Sequence, residues 1–345
     1  MTFHQIDPIQ DTRWSEFVDS HPKASIFHTV AWLQALRRTY GYTPVAFTTS
    51  PATSALKNGL LFCRINSWLT GSRLVSLPFS DHCDPLCEES EELKFLIRYL
   101  QTALAHQGWN YLEFRPIHPD VGEAMEKAEL RRVTRNHLHA INLRRDIEEL
   151  ALDLANDSGE VVAGPGLVEK RGNSEQLVRE LYNLFVASHA QHGFPSNPYA
   201  WFQNLRDCHG DSLDIRLASS NGRPLAALLT LRYKDTVYCN NGCSDPRFGD
   251  QKALPWLLWR TILAAKTAGA KEIEFGETAH EVGNLLTFAN PWVLEKKRRM
   301  YWKYPEGSSL DSGASWKMKM AKKIYAHLPH KLQTFTGGML YKHIG

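Results

Sequence analysis

Two aspartates, Asp81 and Asp245, hold matching places in the chain, each after an apolar strand-like run and ahead of an amphipathic helix. A carboxylate so placed can orient an amine nucleophile or take its proton. Glu277 is a third carboxylate at the end of a strand-like run, and these three are the candidate catalytic residues. Arg115, Tyr238, Asn240, Ser244 and Thr278 also fall at strand ends, where α/β sheets present ligands, and are the candidate substrate-binding residues. A second reading stays open for the two aspartates, because Ser-Asp pairs also make good turns.

Other spacings carry less chemistry. Cys83 and Cys87, and Cys239 and Cys243, are C-x-x-x-C pairs, which is not a usual structural-zinc spacing, and no further matching pair flanks them. Buried, reduced thiols are expected, and no metal. His189-x-x-His192 can share a helix face but has no visible third ligand. His280-Glu281 does not extend to the zincin motif. No Gly-x-Ser-x-Gly elbow occurs. Phe248-Gly249-Asp250-Gln251-Lys252-Ala253 precedes a helix as a phosphate-binding turn would. It is poor in glycine, and Asp250 would repel a phosphate or serve as an N-terminal cap.

The elements that position these residues are repeated. Ala31-Trp32-Leu33-Gln34-Ala35-Leu36-Arg37 and Ala200-Trp201-Phe202-Gln203-Asn204-Leu205-Arg206 agree at five of seven positions. Each heptad leads to a strand-like run, an Asn-Gly pair (Asn58-Gly59, Asn221-Gly222) expected to make a hairpin turn, and a second strand. A third strand follows, then a helix near Glu92–Ala105 or Leu254–Ala268 ending at Gly108 or Gly269. Last come the short strands Tyr111–Phe114 and Glu272–Phe275. The offset drifts from 169 (31 to 200) to 161 (113 to 274), with insertions such as Pro51–Lys57 between the marks. Such self-similarity points to duplication. Each copy is a mixed sheet with packed helices, so the fold class is α/β (α+β). Trp201, Phe202 and Trp256, at helical spacing, are expected in the core.

With 345 residues the chain can hold two domains. The expected boundaries are 1–150, a connecting segment 151–176, 177–310, and a basic tail 311–345. A net charge of +3 is too small to imply nucleic-acid binding. The basic residues are clustered, however, in Lys296-Lys297-Arg298-Arg299 and in the tail from Lys317 to Lys342. These clusters are either solvated faces or sites for an anionic substrate or membrane surface. Trp316–Leu328 reads as an amphipathic helix, docked on the protein or on a membrane. No apolar run reaches bilayer length and Met1–Gln10 has no leader pattern, so a cytoplasmic location, with membrane association through the tail, is expected.

This order of elements resembles the GNAT acyltransferase fold, and its duplication resembles the FemAB-like family of peptidoglycan-bridge aminoacyltransferases and their shorter relatives. The markers are Phe27-His28 with Trp32, Leu77-Pro78-Phe79-Ser80-Asp81, Glu113-Phe114-Arg115, His192-Gly193-Phe194-Pro195, Gly242-Cys243-Ser244-Asp245, and Phe275-Gly276-Glu277-Thr278 with Leu285-Leu286-Thr287-Phe288. The resemblance implies two tandem GNAT-like units. It also implies N-acyl or aminoacyl transfer to an amine of a cell-envelope or polysaccharide precursor, an anionic substrate. No bound cofactor is implied, the donor being a co-substrate, aminoacyl-tRNA or acyl-CoA. The bridge enzymes carry a long helical arm that is missing here, which argues against tRNA. Three departures stand out: the acidic stretch 151–166 ending in Gly164-Pro165-Gly166, Ala289 in place of a lysine, and Tyr238-Cys239-Asn240-Asn241 where an aromatic and a lysine are expected. They motivate an alternative, a catalytically silent binding or scaffold protein on the same fold.

Overall fold

The computed structural model describes residues 2–67, 71–151, 166–192, 196–248, 253–276 and 295–305. The chain forms two compact units. One runs to Arg135 and resumes at Arg298; the other is Asn136–Lys297. These limits differ from the sequence boundaries at 150 and 310. The strand after the first repeat copy serves the second unit's sheet, and the strand after the second copy serves the first unit's. The repeat pattern ends before either strand, so it carries no information on where they dock.

In the first unit β1 (His4–Ile6), β2 (Thr43–Thr48), β3 (Leu60–Ser67), β4 (Gly71–Val75) and β5 (Tyr111–Phe114) lie side by side in that order. The last described strand, β12 (Glu295–Tyr304), closes the set by pairing Trp302–Tyr304 with β5. All neighbours are antiparallel except β4 and β5, which are parallel. Helices α1 (Arg13–Ser20), α2 (Val30–Tyr40), α3 (Ser90–Gln107) and α4 (Gly122–Lys127) complete the unit. Helix α2 starts where the Thr29 hydroxyl accepts from Trp32 N–H, and it stops at Gly41 in the left-handed region. Phe47, Phe62, Leu74, Leu96, Leu100, Leu112 and Trp302 fill the core between sheet and helices.

In the second unit the strands are β6 (Arg131–Asn142), β7 (Val168–Gly172), β8 (Leu213–Ser220), β9 (Arg223–Tyr233), β10 (Thr236–Ser244) and β11 (Glu272–Phe275). Their spatial order is β6-β11-β10-β9-β8-β7. Again one pair is parallel, β10 with β11. The helices are α5 (Glu175–His192), α6 (Tyr199–His209) and α7 (Ala253–Thr267), the last followed by Gly269 at φ 79°. Trp201, Phe202 and Trp256 are buried, as their spacing suggests. The segment taken as a connector, 151–176, contains the edge strand β7.

The two Asn-Gly pairs do different work. Asn221 (φ 50°) and Gly222 (φ 74°) form the tight β8–β9 turn that the dipeptide predicts. Asn58-Gly59 does not turn the β2–β3 hairpin, because the insertion 51–57 moves the reversal away from it. Asn58 is instead fully buried and bridges Thr48, Thr49 and Glu92 through its amide. Gly59 lies so close to Trp14 that a Cβ would sit 2.7 Å from its ring.

Candidate functional site

In the second unit the site is built at the end of the parallel pair. Thr236, Val237, Tyr238 and Cys239 of β10 pair with Glu272, Ile273, Glu274 and Phe275 of β11, and the pairing stops there. Strand β10 runs on to Ser244, held on its other side by β9. A one-residue bulge at Asn240 interrupts that β9 ladder, between Cys239↔Thr230 and Asn241↔Leu229. A bulge bends its strand and re-aims the side chains that follow. The backbone of β10 beyond Cys239 therefore presents, toward the β11 side, polar groups that no described strand pairs. Asn240, Asn241 and Gly242 are partly exposed along this edge. Asn241 Nδ2 donates to Asn240 Oδ1 at 2.6 Å.

The candidate residues of this unit fall around that edge. Tyr238 is buried at the last stretch of pairing, opposite Glu274. Asn240 is the bulge residue, and Ser244 ends the strand opposite Ala226. Asp245 closes the turn. Its N–H donates to Leu225 O (2.7 Å), and its carboxylate accepts from Arg247 N (3.0 Å), Nε (2.9 Å) and Nη2 (2.6 Å). The bonds from the Arg247 side chain outweigh partial burial and hold its pKa below the ordinary carboxylate value. A depressed pKa makes a weak base, so this geometry suits positioning of the turn and strand end. Glu277 and Thr278 lie outside the described residues, as do the Ala289 position, the 152–165 stretch, the Gly249-Asp250 turn and the basic tail. The side chain of His192 is also outside them.

Asp81 and Arg115 belong to the first unit, where the same strand pair ends differently. The pairing stops at Val75↔Glu113. Ser76 N–H then donates to Glu113 O (2.8 Å), and Arg115 N–H donates to Ser76 Oγ (2.7 Å). The Arg115 guanidinium donates to Glu113 Oε1 (2.8 Å) and Leu77 O (2.8 Å) and lies 5.0 Å from the Tyr301 ring centroid. Lys303 contacts the other Glu113 oxygen at 3.0 Å. Burial alone would raise the pKa of Glu113, but Arg115 and Lys303 overcome it and bring it to about 2. Beyond Ser76 the chain turns away through Leu77 (φ 66°) and Phe79 (φ 58°), both unusual conformations for such residues. Asp81 lies in the half-buried bend that follows. Here Arg115 closes the strand end and is committed to protein partners. By the repeat, its counterpart in the second unit is Gly276 (offset 161), and Ser76 corresponds to Cys239. Burial pushes the Cys239 thiol up to about 12, so it is not a ready nucleophile.

A polar cluster near Asp81 was not legible in the sequence. Asp84 is buried, and its Oδ1 accepts from Ile117 N (3.0 Å) and His118 N (2.9 Å) and lies 3.1 Å from His118 Nδ1. His82 Nδ1 is 3.4 Å from the other carboxylate oxygen. His28 bridges Ser25 and Asp84 O, and burial brings its pKa down to about 4. Asp84 carries no spacing signature of its own. The only hint was a run of polar side chains in a segment flanked by core residues. Among the described residues no group of His, Cys, Asp or Glu could hold a metal ion. None of their helices is long and apolar enough to cross a membrane.

Residues 142–282 match the family described as an acetyltransferase (GNAT) domain. The crystal structure of FemX is similar, with a TM-score of 0.67 at 11% identity over 90% of this chain and 98% of that one. So is a C-terminal domain (DUF2156) assigned to a lysylphosphatidylglycerol synthetase of Agrobacterium fabrum, at TM-score 0.59 and 12% identity over 89% and 95%. A tandem GNAT protein from the clavulanic acid biosynthesis pathway is similar at TM-score 0.56 and 10% identity over 88% and 97%. None of the curated proteins matches in sequence. The fold is that of two GNAT-like units in tandem.

Proposed function

We propose that this chain is an N-acyltransferase whose reaction centre is the open end of the β10–β11 pair in the second unit. The observation that carries the reading is that, among the described residues, parallel pairing stops after Cys239 while β10 continues to Ser244. An extended acyl donor can lie along that edge as an added strand, held by main-chain hydrogen bonds. An N–H on the edge would polarise the acyl carbonyl, an effect of roughly 3 kcal/mol in comparable sites. The acceptor amine attacks the carbonyl directly. A C–N bond forms, the donor's C–S or C–O bond breaks, the leaving thiol or hydroxyl gains a proton and the new ammonium loses one. Tyr238, Asn240 and Ser244 border the donor; Asp245 fixes the turn that ends the strand. The family match over this unit and the fold likeness to a lysylphosphatidylglycerol synthetase domain support acyl or aminoacyl transfer. The acceptor we propose is an amine on an anionic cell-envelope precursor, met in the cytoplasm or at the membrane surface through the basic tail.

The test is a transfer assay on the full chain with labelled acetyl-CoA, longer acyl-CoAs and charged tRNA, against amine-bearing envelope precursors. Product formation that Gly276→Arg abolishes supports the reading. A stable acyl-enzyme adduct would contradict direct attack. Failure of every donor would favour a silent binding protein.

A further inference from the structure

A cavity of about 550 Å³ opens in the second unit between the sheet edge and the C-terminal half of α7. It owes its shape to two periodicities. On α7, Arg260, Leu263, Ala264 and Thr267 recur at helical spacing and form one stripe, which Ala268 continues just past the helix end. The alanines leave the space, and Leu263 gives it an apolar floor. On the sheet, Glu169 and Arg171 of β7 share a face with Arg216 of β8, and all three line the cavity.

The register sets Arg171 directly opposite Arg216. Like charges in that position are unfavourable unless compensated. Two carboxylates provide the compensation. Asp214 Oδ2 accepts from Arg171 Nε at 2.7 Å and lies 3.3 Å from Arg216 Nε. Glu169 accepts from Arg216 Nη1 with one oxygen and from Arg260 Nε with the other at 3.0 Å. Among the described residues three guanidiniums thus share two carboxylates, and one positive charge is left over. Arg216 is buried, its side chain 4% exposed, and its Nε makes no hydrogen bond. Arg171 and Arg260 are each gripped at Nε alone, so among the described residues their outer Nη pairs are uncommitted. The negative end of α7 is covered elsewhere, since Arg232 donates to Ala268 O at 2.6 Å.

We infer that this cavity binds a phosphate ester carrying an apolar body. The phosphate would take the Nη pairs of Arg171 and Arg260 bidentately, as guanidinium forks do. The apolar part would lie on Leu263 and Ala264. The ligand could be a soluble ester or the headgroup of an anionic phospholipid. The site stands apart from the β10–β11 edge and does not depend on the transfer reaction.

The test is calorimetric titration of the full chain with inorganic phosphate and with hexyl phosphate, and sedimentation with phosphatidylcholine vesicles with and without phosphatidylglycerol. Wild type should bind hexyl phosphate saturably and more tightly than inorganic phosphate. Arg171→Gln/Arg260→Gln should weaken binding by about tenfold or more. Ala264→Phe keeps every charge and fills the floor, and should remove the preference for the hexyl chain. Hexyl phosphate binding without vesicle binding identifies a soluble ester; vesicle binding that needs phosphatidylglycerol and both arginines identifies a headgroup. Equal binding by wild type and a folded double variant, or no binding to either probe, overturns the inference.

Discussion

The parallel pairs β4–β5 and β10–β11 start from the same repeated sequence and finish in opposite ways. In the first unit the strand ends at Val75, the chain turns off through Leu77 and Phe79, and Arg115 bonds across the gap to Glu113 and Leu77. In the second unit β10 runs five residues past Cys239, its last residue paired with β11, and bulges at Asn240, and the repeat places Gly276 where the arginine would be. One copy has spent its strand end on stability, while in the other no described strand pairs the β10 backbone beyond Cys239 on the β11 side. An arginine at a strand end is therefore not evidence of ligand binding until its partners are known.

Arg115→Ala breaks this contrast most severely. It strips a buried carboxylate of its main partner and leaves Lys303 alone on Glu113, so stability should fall by about 3 kcal/mol, read as a shift of the urea midpoint.

Acid titration should produce an effect of similar size in both units. His28 in the first and His209 in the second are buried, and desolvation lowers each pKa from 6.5 to about 4. Unfolded histidines take a proton near pH 6.5, the buried ones only near 4. Between those values the unfolded chain binds more protons, and stability falls as pH falls, by up to about 3 kcal/mol per group. Glu113 extends the loss downward, from about 4.5 toward its folded value of about 2. Thermal melts from pH 7 to 4 check the first interval, and His209→Gln should flatten part of the slope.

Gly276→Arg transplants the seal. Acyl transfer should drop by about 100-fold, as expected when donor alignment is lost, with the urea midpoint little changed. Retained transfer would show that the open edge is not used. The smallest effect expected is that of Asp245→Ala, which removes the bonds to Arg247 and should cost about 1–2 kcal/mol. Recovery of transfer by Asp245→Asn, which keeps an acceptor for Arg247 N–H, would separate a positioning role from a proton-accepting one.

Much of the framework was legible because it is local. The heptads, the glycines that end α3 and α7, and the Asn221-Gly222 turn act within a few residues of themselves. The exchange of β6 and β12 between the units was not, since strand docking is decided by distant partners. Asn58-Gly59 misled for a related reason: an insertion of seven residues moved the turn and left the asparagine to bridge buried groups. At the proposed site, strand ends in a duplicated α/β sheet pointed to Tyr238, Asn240 and Ser244 as candidates. The bulge at Asn240 leaves no mark in composition. Asp84 went unseen because its partners, His82 and His118, are gathered by folding rather than by spacing.

Amide hydrogen exchange on the ligand-free chain tests the contrast most directly. The N–H groups of Ser76 and Arg115 are hydrogen-bonded across the first strand end and should exchange slowly. Those between Asn240 and Ser244 that point away from β9 should exchange faster by orders of magnitude. Equal protection at the two strand ends would contradict the account.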